Sequence, residues 1–106
     1  MSVIMTMWVQ GDPEKLEQHA AANTEEMRGI ADVAKQHGLI AHRFYGSDDG
    51  QIMVIDEWPD EQSFRSFFES TRDQIEPLMR AAGASSEPQI RTWRKLETHD
   101  EVGWES

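Results

Sequence analysis

The chain contains no cysteine. That excludes disulfide frameworks, thiolate nucleophiles and cysteine metal ligands, and it fits a reducing compartment. Cations are scarce: ten Lys plus Arg stand against twenty Asp plus Glu, a net charge of −10. A field of that sign repels phosphate backbones and anionic lipid, so neither nucleic acid nor a membrane surface is an expected partner. No apolar run approaches membrane-spanning length. The opening MSVIMTMW lacks the basic and long apolar regions of a signal peptide and reads as a first strand. A cytoplasmic location is expected. No His-x-x-x-His or Glu-x-x-His cluster occurs, no glycine-rich loop follows a strand, and no serine-nucleophile signature is found. Neither a metal nor a bound ATP, NAD or flavin is expected.

What the chain does have is apolar and aromatic residues on both alternating faces of its strands. Its 106 residues allow one domain with one core. Val3 to Gln10 is β-branched and aromatic-leaning, with Val3, Met5, Met7 and Val9 on one face and Ile4, Thr6 and Trp8 on the other. Asp12-Pro13-Glu14 opens a helix with a capping acid and a proline at the first helical position. Its apolar stripe runs through Leu16, Ala20, Met27 and Ile30 to a stop at Gly38, so one long helix is predicted. Gly29 inside it marks either a close approach or a kink.

Leu39 to Gly46 and Gln51 to Trp58 are strands joined by the turn Ser47-Asp48-Asp49-Gly50, which makes an antiparallel hairpin. Pro59-Asp60-Glu61 begins another helix with an inner stripe of Phe64, Phe67, Phe68 and Thr71. Pro77 is expected to interrupt it, leaving Ile75, Leu78 and Met79 in a separate turn. Gln89 to Leu96 is the last strand. Residues 1–98 form the domain, and 99–106 an acidic tail whose Val102 and Trp104 could pin it to the surface or to a partner subunit.

The order is strand, helix, strand, strand, helix, strand: an α+β, ferredoxin-like βαββαβ fold with a four-stranded antiparallel sheet. Two helices cover one side of such a sheet. Residues such as Trp8, Phe44 and Trp93 are left for the other side, and a second copy of the chain is the simplest cover. A homodimer through the open sheet face is therefore expected.

Ile55-Asp56-Glu57-Trp58-Pro59-Asp60-Glu61-Gln62-Ser63-Phe64, a strand ending in an aromatic before an acidic helix start and an aromatic anchor, resembles the dimeric α/β-barrel proteins. The likeness is to the group related to antibiotic biosynthesis monooxygenases and spans most of Val3–Leu96. It implies a dimeric α/β-barrel and, among its activities, cofactor-independent oxygenation of aromatic or polycyclic compounds. The haem-degrading branch of that superfamily uses a first-strand asparagine, a tryptophan near the end of the third strand and a second-helix histidine. Trp58 fits the tryptophan position, but the first strand has no asparagine and the second helix no histidine.

Candidate site residues follow from the faces. His42 shares a strand face with Ile40 and Phe44 and could act as base or hydrogen-bond donor. Arg43 and Tyr45 occupy the opposite face, where Arg43 could hold an anionic oxygen or simply pair with Asp56 on the next strand. Trp8, Trp58 and Trp93 could wall a flat aromatic ligand or serve only packing. Trp93, between Arg91 and Lys95, could attract an organic anion or the acidic tail. Asn23, four residues after His19, could anchor a substrate. Three functions stay open: a cofactor-independent monooxygenase with His42 or Arg43 as the polar group, a non-catalytic dimeric ligand-binding or stress-related domain, and an atypical haem binder.

Overall fold

A computed structural model describes residues 2–103. Strand β1 (Val3–Gln10) leads into helices α1 (Pro13–Ala22) and α2 (Thr24–Gln36), followed by β2 (Ala41–Gly46), β3 (Gln51–Trp58), α3 (Glu61–Ala81) and β4 (Gln89–Arg94). The strands form one antiparallel sheet in the order β2-β3-β1-β4, the expected ferredoxin-like arrangement. The second and fourth strands are shorter than the sequence suggests, starting at Ala41 and ending at Arg94. Residues 104–106 of the tail, including Trp104, lie outside the described residues.

Strand alternation decides which residues the helices cover. Met5, Met7 and Val9 of β1 and Ile52, Val54, Asp56 and Trp58 of β3 are buried beneath the helices. They pack with Leu16, Ala34, Phe64, Phe67, Leu78, Met79 and Ala82 into the single core. Ile4, Thr6 and Trp8, Met53, Ile55 and Glu57, Arg43 and Tyr45, and Arg91 and Trp93 fall on the opposite, open face by the register of the four strands. Phe44 does not belong there. It pairs in register with the buried Val54 and packs against the core on the helical side.

The long first helix is in fact two. Asn23 leaves helical geometry with φ −136° and ψ 50°, and its side-chain amide donates to the His19 carbonyl at 2.9 Å. A short amide that satisfies a helix-end carbonyl competes with continued backbone pairing, which is why the break falls there and not at Gly29. Asp12 caps α1 as expected, accepting from the Glu14 and Lys15 amides at 3.0 and 3.4 Å. Asp60 caps α3 by accepting from Ser63 N at 2.7 Å, and that hydrogen bond holds its carboxyl below the usual range.

Pro77 does not interrupt α3, which runs through it to Ala81. Proline removes one helical donor and crowds the preceding turn. Burial of Leu78 and Met79 just beyond it, with Phe64, Phe67 and Thr71 earlier on the same helix, outweighs that local preference. Thr71 also donates its hydroxyl to the Phe67 carbonyl at 2.8 Å.

Two glycines are set by their surroundings. Gly50 turns the β2–β3 hairpin at φ +85°. Gly46 ends β2 so close to Pro13 that an added Cβ would lie 2.6 Å from the proline ring. Gly29 has no such reason: it lies inside α2, exposed, with nothing within 4 Å of an added Cβ. Gly29→Ala should therefore stabilise the fold by about 0.5–1 kcal/mol, through helix propensity and a less flexible unfolded chain. Urea unfolding measures this, and an unchanged or lower midpoint would contradict the contact-free setting of this residue.

Candidate active site

The hairpin turn at Ser47–Gly50 sets the pairing of β2 with β3, and that register puts His42 directly opposite Asp56. Both side chains point toward the helices. Asp56 is 4% exposed, a carboxylate inside an apolar layer. Such a group is costly unless its oxygens are hydrogen-bonded. Here each oxygen has a donor: His42 Nδ1 lies 2.6 Å from Oδ1, and Trp58 Nε1 donates to Oδ2 at 3.2 Å. An ionised carboxylate only accepts, so His42 carries hydrogen on Nδ1, and in the neutral ring the lone pair is on Nε2. The imidazole stands edge-on to Phe44, with ring centres 5.1 Å apart.

This pair borders a cavity of about 80 Å³ between the sheet and α2 and α3. Methionines 5, 7, 27 and 79 and phenylalanines 44, 64, 67 and 68 dominate its lining, and His42 and Asp56 are its only ionisable residues. The His42 side chain is about one third exposed, so it stands at the rim, whereas Asp56 lies inside. Outside, a wider open cleft of about 780 Å³ runs between α1 and the β2–β3 hairpin and shares Met27 and Phe44 with the cavity lining. Asp12, Glu14, Glu17 and Asp48 make that cleft acidic.

The sequence-derived candidates do not converge on this place. Only His42 lines the cavity. Arg43 lies on the opposite sheet face and donates to the Tyr45 hydroxyl at 3.4 Å, so it does not pair with Asp56. Tyr45 also reaches the lining of the outer cleft. Trp8 on the open face donates to Gln51 Oε1 at 3.0 Å. Trp93, 48% exposed, donates to Thr6 Oγ1 at 2.9 Å and lies beneath the Arg91 guanidinium. Asn23 is engaged in the helix break with His19, whose Nε2 lies 3.3 Å from Glu26. Trp58 is wholly buried against Phe64 and Phe67, and it does not line the cavity. The residue missing from the expected set is Asp56. The hairpin register alone pairs it with His42 on one face, and that was the available signal.

Among the described residues no cluster of three or more His, Asp or Glu side chains is placed to hold a metal ion. None of their helices is long and apolar enough to cross a membrane.

No protein-family model matches the chain, and no curated protein matches it in sequence. Solved structures match its fold. One is a monooxygenase from the ActVA-Orf6 gene of Streptomyces coelicolor in complex with nanaomycin D, with TM-score 0.67 and 16% identity, covering 95% of this chain and 92% of that one. A dimeric ferredoxin-like protein from an uncultured marine organism gives TM-score 0.66 at 11% identity, with 95% and 93% covered. A variant of SnoaB, a cofactor-independent oxygenase from Streptomyces nogalater, gives 0.64 at 14% identity, with 94% and 98% covered. What these chains share with the present one is the ferredoxin-like fold over nearly its whole length.

A double-mutant cycle tests the buried pair. His42→Ala and Asp56→Ala should each destabilise by about 1–3 kcal/mol, since each strips a partner from a buried polar group. The double variant should lose clearly less than the sum. Strict additivity in urea unfolding would show that the two side chains are not coupled.

Proposed function

We infer that the chain is a homodimeric small-molecule oxygenase that needs no cofactor, with His42 as general base. The observation that carries this reading is the 2.6 Å pairing of His42 with buried Asp56 at the rim of an apolar cavity. Asp56 fixes the ring with its lone pair on Nε2 and would stabilise the imidazolium once a proton is taken. The two similar structures named as a monooxygenase and a cofactor-independent oxygenase support the reaction class.

The substrate would be a hydroxyaromatic compound with an activated ring CH₂. His42 removes one proton, leaving a carbanion delocalised into the ring. The carbanion adds dioxygen at carbon, and the peroxide oxygen recovers the proton from His42. The hydroperoxide then loses water by breaking its O–O bond and the remaining C–H bond, giving a carbonyl. In sum, CH₂ and O₂ become C=O and H₂O, the carbon oxidised and the dioxygen reduced, with no external electron donor.

Size limits how such a ligand sits. Small-molecule pockets usually enclose about 300 Å³ or more, and the cavity beneath the helices holds about 80 Å³. The reacting ring would enter the cavity past Met27 and Phe44, and the rest of the molecule would lie in the outer cleft. Methionine walls give way at little cost. The acidic cleft favours a neutral compound over the organic anion suggested by the Arg91–Trp93 face.

The same small, methionine-rich enclosure favours one other reading, a dimeric binding domain without chemistry. Oxygen uptake separates the two. With an anthrone-type substrate, the wild-type protein should consume dioxygen one for one with ketone formation, and His42→Ala should lose 10²-fold or more in rate, as about expected for a general base. Saturable binding of that compound with no oxygen uptake would leave the binding domain and remove the enzyme.

The dimer would form through the open face. Ile4, Thr6, Trp8, Met53 and Ile55 are only partly covered there, and Tyr45 and Trp93 are 46% and 48% exposed. A contiguous apolar patch rimmed by arginines is the anatomy of an interface, and a two-fold axis would set the patch against itself. Light scattering at low micromolar concentration should give about twice 12.2 kDa, and Trp93→Glu should give the single mass. A wild-type monomer under those conditions would overturn the dimer.

A further inference from the structure

We propose that Trp58 is a positioning residue for His42, acting through Asp56. This goes beyond the function proposed above and takes its catalytic meaning from it. Three features of the fold converge on the role. The alternation of β3 puts Asp56 and Trp58 on one face, two residues apart. The indole is held on two sides by Phe64, with ring centres 6.0 Å apart at 60°, and by Phe67 at 5.4 Å and 34°. Its exposure is 0%, so its one polar atom cannot turn to water, and Nε1 donates to Asp56 Oδ2 at 3.2 Å.

Asp56 thus receives one donor on each oxygen, and the two donors come from different directions. His42 reaches Oδ1 from β2, and Trp58 reaches Oδ2 from the end of β3. A carboxylate held at one oxygen alone can rotate about its last side-chain bond. Held at both, its plane is fixed, and so is the oxygen that meets His42 Nδ1. The tryptophan N–H also removes the second oxygen as a competing acceptor for the ring. A rigid indole in an aromatic wall provides the fixed end, the carboxylate transmits it, and the imidazole at the cavity rim is held in one orientation and one tautomer. Trp58 touches no cavity, so it would not meet a substrate.

The experiment reads the His42 ring itself, without reference to activity. In ¹⁵N-labelled wild-type protein, at a pH where the ring is neutral, long-range ¹H–¹⁵N correlations should show His42 as a single tautomer protonated at Nδ1. Trp58→Phe keeps an aromatic ring in the wall and deletes only the donor. In that variant the two ring-nitrogen resonances should move toward each other as both tautomers become populated. Phe64→Leu loosens the wall that holds the indole but leaves the hydrogen bond, and should move the resonances the same way by less. An unaltered His42 pattern in folded Trp58→Phe, or an equal or larger change in Phe64→Leu, overturns the proposal.

Should Trp58→Phe fail to fold, the coupling is read from the other end. His42→Ala should shift the Trp58 indole N–H resonance and speed its exchange with solvent, because Asp56 loses its second fixed contact. No shift and no change in exchange would likewise overturn it. Where turnover is measurable, Trp58→Phe should lower kcat with KM nearly unmoved. Wild-type protein without turnover would sink the oxygenase reading and leave the tautomer result standing by itself.

Discussion

A four-stranded sheet has two faces, and this chain has one layer of helices. That imbalance, together with the strict period of two along each strand, determines where every functional group can be. Strands β1 and β3 form the middle of the sheet, and their pairing from Val3↔Trp58 to Gln10↔Gln51 fixes which residues go under the helices. A slip of one residue would send Met5, Val54 and Trp58 to the open side and bring Glu57 into the core. The turn at Ser47–Gly50 extends the same register to β2, and there His42 and Phe44 join the buried side. The apolar cavity, the carboxylate within it and the imidazole at its rim all follow from that parity.

The polar groups of this protein are sorted accordingly. Beneath the helices, polarity is concentrated in Asp56, Thr71 and His42, and each has a defined partner. A buried carboxylate is weak support for stability, since desolvation offsets much of what its partners return. Its place opposite a histidine and beside an indole is better understood as a means of orientation. The open face carries its own pairs, Trp93 with Thr6 and Trp8 with Gln51, which satisfy the indole donors while leaving their rings free to pack. One face carries its polar groups buried and paired beneath the helices, the other carries them beside partly exposed rings.

Much of this was legible in the residues, and what was not has physical causes. The hairpin, the cap at Asp12 and the order of the elements are local in origin, so they could be read from Gly50, Pro13 and the alternation of strand residues. The break at Asn23 and the unbroken passage of α3 through Pro77 are not local. The first depends on an amide finding a helix-end carbonyl, the second on burial of Leu78 and Met79 against the sheet. Asp56 is legible as a cross-strand partner, with Arg43 as one candidate for it; the register gives it His42 instead, a difference of one residue that changes the face. The type of Trp58 suits a pocket wall and core packing alike. Only packing against Phe64 and Phe67 shows it enclosed.

Among the described residues the sheet also has two unpaired edges, β2 and β4, each offering free backbone groups to any passing strand. Arg43 stands on one edge and Arg91, Arg94 and Lys95 on or beside the other, four of the ten cations in a chain of net charge −10. Bulky like charges on an edge make strand addition unfavourable and leave the face beside it free. The cations on or beside these two edges thus weigh against growth of the sheet from edge to edge into fibres.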